Sequence, residues 1–264
     1  MNNYYIPEAL QMVRSFLVQS FVDYTELVPL QFPTVRTVSL IGPEGYVPLD
    51  SHIPRDVFGR KMYLLAQINF SQITVPTHFP SQGLLQFYVS DDCLKTKQHH
   101  KGILSQNNFK VLYIENPISS IPLANVRTMS QPSYYPVSRT LQLQHVEAIE
   151  PVSKSDFRFD AYIPYDAIHK LRLQDELPFE EFYLQHFSGA QHKVGGYAYF
   201  IEEDLRKTSA ELQHYDTLLL QIISNDAQGI MWGDSGVIKF FINERDLRRL
   251  SFENTILYVE DYTS

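Results

Sequence analysis

The sequence predicts an α+β fold: a tandem duplication of a mainly antiparallel β unit with short helices, its two repeats related by a pseudo-dyad, with an N-terminal amphipathic helix. Three observations predict it. Four short blocks recur in the same order at nearly constant offset, a helix-capping residue recurs at the matching place in each copy, and the first residues carry apolar side chains at helical spacing.

At the N-terminus Ile6, Leu10, Val13 and Leu17 recur at that spacing, and Pro7 suits a first helical turn because its missing N–H costs nothing there. No basic run precedes them, and polar residues interrupt every apolar stretch. The pattern therefore reads as a helix packed on the body, neither a signal peptide nor a membrane span.

The repeated blocks follow. Tyr63 to Ile68 (YLLAQI) matches Thr217 to Ile222 (TLLLQI), placing Gln67 opposite Gln221, and Gly83 to Val89 (GLLQFYV) matches Gly236 to Ile242 (GVIKFFI). Upstream, Ile41, Gly42 and Tyr46 match Val194, Gly195 and Tyr199; downstream, Val111 to Glu115 (VLYIE) matches Ile256 to Glu260 (ILYVE). The copies run from about Tyr24 to Asn116 and from about Ala190 to Tyr262 within a single domain spanning residues 1–264. After the second block of each copy, Ser90 and Asn243 stand where a side-chain oxygen caps a short helix, DDCLK in one case and ERDLRRL in the other.

Between the copies lies an insertion that opens with Pro117, Pro122, Pro132 and Pro136, residues that disfavour central strands and helix interiors. Leu141 and Leu143 then alternate as in a strand, and FEEFYLQHF (Phe179 to Phe187) reads as a helical turn or two. Gly195 and Gly196 read as a turn before a strand YAYFI rather than as a phosphate cradle, since their counterpart, Gly42-Pro43, lacks an N–H donor at the second position.

Composition narrows the function classes. The chain has 264 residues, 44% of them hydrophobic, enough for an ordinary buried core. Its 22 basic and 30 acidic residues give a net charge of −8, and the densest basic group, Arg245, Arg248 and Arg249, is interleaved with Glu244 and Asp246. Such a field repels phosphate backbones, which argues against nucleic acid and points to a basic protein partner if any. The single cysteine, Cys93, cannot close an intramolecular disulfide, which fits a reducing, cytoplasmic compartment.

HKVGGYAYFIEEDLR (His192 to Arg206), LLLQI, MWGDSG and FFINERDLRRLSFENTILY resemble segments of the YwqG-like family of bacterial cytoplasmic proteins, and LLAQINFS and GLLQFYVS repeat the likeness earlier in the chain. The resemblance implies an α+β fold and no established activity. Because some relatives lie near secreted-toxin gene modules, it also implies an immunity or toxin-neutralising role. Ala198 and Leu205 depart from the family's usual prolines, and IISND replaces a more acidic segment.

Six residues stand out as binding candidates: Trp232, Asp234, Gln67, Gln221, His192 and Arg206. Trp232 and Asp234 sit in WGDSG, which surrounds a nucleophile in some serine proteases, but here Ser235 runs straight into a strand with no base in view, so no catalytic residue is assigned. Trp232 is a platform or a core cap; Asp234 is a contact or a turn cap. Gln67 and Gln221 either bind each other or buried backbone across the pseudo-dyad, or line a cleft between the repeats. His192 titrates near neutrality, and Arg206 pairs with Asp204 in an exposed turn. None of the nine histidines has zinc-ligand spacing and no nucleotide loop is present, so no metal or cofactor is expected. The reading is a non-catalytic protein-binding module of immunity type; the alternatives are an enzyme or small-ligand receptor with an inter-repeat cleft and a structural homo-oligomer.

Overall fold

A computed structural model describes residues 5–30, 32–33, 35–47, 53–95, 102–104, 106–117, 132, 134–168 and 177–261. Eleven strands form one sheet: β1 (Val22–Pro29), β2 (Leu40–Ile41), β3 (Tyr63–Asn69), β4 (Leu84–Val89), β5 (Gly102–Leu104), β6 (Phe109–Ile114), β7 (Leu141–Glu150), β8 (Lys193–Gly195), β9 (Thr217–Ile223), β10 (Val237–Ile242) and β11 (Ile256–Glu260). Short helices decorate it: α1 (Arg14–Ser20), α2 (Asp91–Lys95), α3 (Phe159–Tyr162), α4 (Tyr165–Ile168), α5 (Phe179–His186) and α6 (Glu244–Arg248).

The strand order is β5-β11-β10-β9-β8-β1-β7-β2-β3-β4-β6, and every pairing is antiparallel. The two outermost strands, β5 and β6, are neighbours in sequence, so the sheet curls until its ends nearly meet. The Gln106 side-chain amide bridges that seam, donating to the carbonyls of Phe252 (3.2 Å) and Thr255 (3.1 Å). Inside the curl Phe87 of β4 meets Phe240 of β10 with ring centroids 4.7 Å apart, and Phe109 of β6 meets Phe240 at 5.7 Å. Strands β4 and β10 are buried along their whole length, because the core covers one face and loops cover the other. That double burial accounts for their unbroken apolar sequences.

This architecture corrects the fold expected from the sequence. There are not two sheets related by a pseudo-dyad: the blocks matched in sequence fall on β3 and β9, β4 and β10, β6 and β11, all strands of one nearly closed sheet. Its middle is β1 paired with β7 from Val22↔Glu150 to Pro29↔Leu143, a contact that makes the supposed insertion part of the sheet and leaves no separate duplicated units. The N-terminal amphipathic helix is also absent as such. Residues Glu8–Val13 form a 3₁₀ helix that passes into the seven-residue α1. A spacing of three between Leu10 and Val13 fits three residues per turn as well as 3.6, so the apolar pattern did not distinguish them. These residues pack with Phe159 of α3 and Tyr183 of α5 in a second core outside the sheet. The helix caps are present: Ser90 accepts from Cys93 N–H and Asn243 from Arg245 N–H.

Phe240→Ala is expected to destabilise the protein by about 3–5 kcal/mol, because the ring joins both halves of the core. Gln106→Ala, at the half-buried seam, should cost about 1–2 kcal/mol. Urea unfolding of both variants checks the order.

Candidate functional site

The segment from Gly189 to Arg206 lies over the outer face of the sheet without joining a ladder after β8. Much of it is buried, and buried backbone polar groups need partners. A row of polar side chains supplies them. Lys193, Gln221, Lys239 and Tyr258 are cross-strand neighbours on β8, β9, β10 and β11 and so point to one face. Gln221 accepts from Tyr199 N–H (2.7 Å) and donates to the carbonyls of Gly189 (3.0 Å) and Gln191 (2.8 Å). Lys239 donates to the Tyr199 carbonyl at 2.9 Å and to Glu260, whose carboxylate faces the N–H groups of Ile201 and Glu202. Lys193 binds both oxygens of Glu150 (2.7 and 2.8 Å), and Glu150 also accepts from Tyr197 N–H. The stretch YAYFI is therefore not a strand but a strap fastened by side chains.

Gly195 and Gly196, both at positive φ, start this strap. A Cβ on Gly196 would lie 2.3 Å from a Glu150 oxygen, so glycine is required for the close approach. Burial lowers the pKa of Lys239 to about 8, with the Glu260 charge opposing the shift.

The six candidates from the sequence fall into place around this scaffold. Gln67 is fully buried on β3, accepting from Tyr46 N–H (2.9 Å) and donating to the carbonyls of Arg36 and Val38 (both 2.6 Å). Gln221 does the same for its own strap, and neither glutamine bonds the other. Arg206 is 3% exposed rather than solvated; it binds Asp204 and Asp156, donates to the Tyr215 carbonyl and lies over Phe241 at 4.6 Å. Trp232 is 5% exposed and packs in the main core, its backbone N–H held by Ser224. Asp234 is exposed in the turn before β10, where its N–H donates to Asp261.

His192 is buried, and its Nδ1 accepts from Ile223 N–H at 3.2 Å, which places the ring proton on Nε2. Burial pushes its pKa down to about 4, with Gln228 opposing. No group of three or more His, Cys, Asp or Glu that could hold a metal ion occurs among the described residues. None of the six candidates lines the concavities that open around the start of β1.

Those concavities adjoin one another around the start of β1. One, of about 590 Å³, lies between His78 and the Gly195–Tyr197 turn and reaches Asp216 and Glu244. A second, of about 580 Å³, lies between Pro76 and the Glu147–Ile149 stretch of β7, and Asp23 lines both. A third, of about 230 Å³, is lined by Phe21, Tyr24, Glu150 and Phe187. The joint groove is acidic. Asp23 and Glu147 are exposed and have no ion pair among the described residues, while Arg158, which lines the first concavity with Asp23, is tied to Asp156 at 2.8 Å. Burial lowers the pKa of His78 from its ordinary value, with the Glu244 charge opposing.

Residues 39–260 match the family described as Domain of unknown function (DUF1963). The chain belongs to the DUF1963 family. No curated protein matches it. The matched stretch of the DUF1963 domain begins just before β2, so Asp23 and the rest of β1 lie outside it even though β1 occupies the middle of the sheet.

The groove residues were not among the sequence candidates, yet a signal for them exists. Along one face of β1 the side chains run Pro29, Leu27, Thr25, Asp23, and opposite them on β7 Leu143, His145, Glu147, Ile149. An inward face that turns from apolar to charged marks where a core opens to water.

Replacing Gln221 by Leu should cost about 3 kcal/mol or more, because the strap would lose one acceptor and two donors in a dry site. Asp234→Ala should cost no more than about 0.5 kcal/mol. Thermal unfolding separates the two. A second expectation concerns pH. The folded-state pKa of His192, about 4 against an ordinary 6.5, favours the neutral ring. Its contribution is complete above pH 6.5 and is lost as pH falls towards 4, by about 3 kcal/mol at the limit. Denaturation midpoints taken across that range should fall, and His192→Asn should reduce the slope.

Proposed function

We propose that this DUF1963 protein is a non-catalytic protein-binding module that receives a basic surface of its partner in the groove around Asp23. The observation that carries this reading is the two carboxylates without an ion pair among the described residues, Asp23 where concavities of about 590 and 580 Å³ adjoin and Glu147 in the second of them. A net charge of −8 adds long-range steering toward a cationic partner. The apolar floor from Pro76, Ala148 and Ile149 offers burial beside the charges, which a specific contact needs.

The likeness to YwqG-like proteins is compatible with an uncharacterised family and supports the finer reading, an immunity-type protein that neutralises a toxin in the cytoplasm. No helix among the described residues is long and apolar enough to cross a membrane. The inter-repeat cleft with Gln67, Gln221, His192 and Asp234 is set aside, since the two glutamines are consumed by backbone and Asp234 lies on an exposed turn.

Affinity purification of the tagged protein from its native cells at moderate salt tests the proposal. The expected outcome is one stoichiometric basic protein, lost at high salt and lost with Asp23→Lys/Glu147→Lys. Equal recovery by that variant removes the groove from the mechanism, and no stoichiometric protein at all removes the function.

A further inference from the structure

The turn from Arg55 to Lys61 is built to hold two large apolar side chains in water. Val57 is 63% and Phe58 73% exposed, at the tip of the turn. Beneath them Asp56 is buried, and its carboxylate accepts from the N–H groups of Phe58 and Arg60 (both 2.9 Å) and from Arg60 Nε at 2.6 Å. Asp56 N–H and Gly59 N–H close the backbone onto Arg60 and Asp56 carbonyls, and Gly59 takes the positive φ that the tip demands. The Arg60 guanidinium lies 4.9 Å from the centre of the Phe58 ring and also pairs with Asp92, which anchors the turn to α2. Such a turn is already ordered before any contact is made, so docking it costs little conformational entropy. Its flanks are basic: Arg55 and Lys61 are exposed and have no carboxylate partner among the described residues.

The same molecule carries the complementary concavity. The groove around Asp23 joins an apolar floor at Pro76 and Ile149 to the carboxylates of Asp23 and Glu147. We infer that the finger, Arg55 to Lys61, of one copy docks in the groove of a second copy, with Phe58 on the apolar floor and Arg55 and Lys61 facing Asp23 and Glu147. This inference rests on the groove reading above and names a second copy of the chain as its occupant. Aromatic and arginine side chains entering a pocket are the usual anchors of such contacts. The contact joins two different surfaces, so it is heterologous. One finger in one groove is a small interface, which places the association in the weak, concentration-dependent class. A lipid surface is the less favoured occupant, because two apolar side chains are too few to hold a protein on a bilayer.

Complementation tests this directly. Sedimentation of the wild-type chain from low to high micromolar concentration should show the mass rising above the 30.7 kDa of one chain. Phe58→Asp, which spoils the finger, and Asp23→Lys/Glu147→Lys, which spoils the groove, should each remain at one-chain mass. Mixed in equal amounts they should associate, since one supplies an intact groove and the other an intact finger. Unchanged thermal unfolding verifies that both variants fold; Asp23→Asn/Glu147→Gln replaces the groove variant if the lysines unfold it. A mixture that stays at one-chain mass, or a Phe58→Asp chain that associates like wild type, overturns the inference. So does a wild-type chain that stays single and instead cosediments with anionic vesicles through Phe58. If the groove still captures a basic cellular protein while complementation fails, only the self-contact falls; if capture fails too, the groove reading falls with it.

Discussion

The antiparallel pairing of β1 with β7 is the contact on which the molecule depends. It runs from Val22↔Glu150 to Pro29↔Leu143 and is the join between β8 on one side and β2 on the other. Without it β5 and the strands from β8 to β11 would have no common ladder with β2, β3, β4 and β6. The same pair frays from apolar to acidic at the Asp23 end, so the element that unifies the sheet also opens the groove. Structure and candidate function share one pair of strands.

Burying charge on the outer face follows from a second constraint. A strap laid across a sheet cannot take its hydrogen bonds from the ladder, which is already used, and water is excluded from beneath it. Side chains long enough to rise from the sheet and satisfy an N–H or a carbonyl must do so. Gln221, Lys239, Glu260 and Glu150 do this on one side of the sheet, and Gln67 and Gln86 under the loop from Arg36 to Tyr46. Fully buried Lys193 and Lys239 are tolerated because each meets a carboxylate as well as aromatic rings. The polar residues that a sequence reader takes for ligand contacts are here the fasteners of two covering loops.

Local chemistry was the legible part of this protein. Apolar runs such as TLLLQII and VIKFFI announced strands, Ser90 and Asn243 announced caps, and the paired glycines announced a turn. For Gln67 and Gln221 the sequence left two readings open, satisfaction within the fold or a ligand cleft, and the structure gives each amide backbone partners. What the sequence did not disclose was long-range pairing. Nothing in Leu141 and Leu143 says that their strand pairs with β1 rather than standing in an insertion, and that single partnership changes two sheets into one. The groove was missed for the same reason: Asp23 and Glu147 are ordinary surface residues until the strands bearing them are placed side by side.

The seam that closes the curl sets a schedule for synthesis. Strand β5 pairs with β11, and Gln106 reaches a carbonyl 149 residues further along the chain. At ribosomal rates of about 5–20 residues per second, the partner for β5 emerges roughly 8–30 s after β5 itself. Through that interval the strands from β2 to β6 exist without the half that covers their core, and an unpaired edge is open to any neighbouring chain. Completion of the sheet therefore waits for β11 to emerge, and the earlier strands pass their longest vulnerable period before it does.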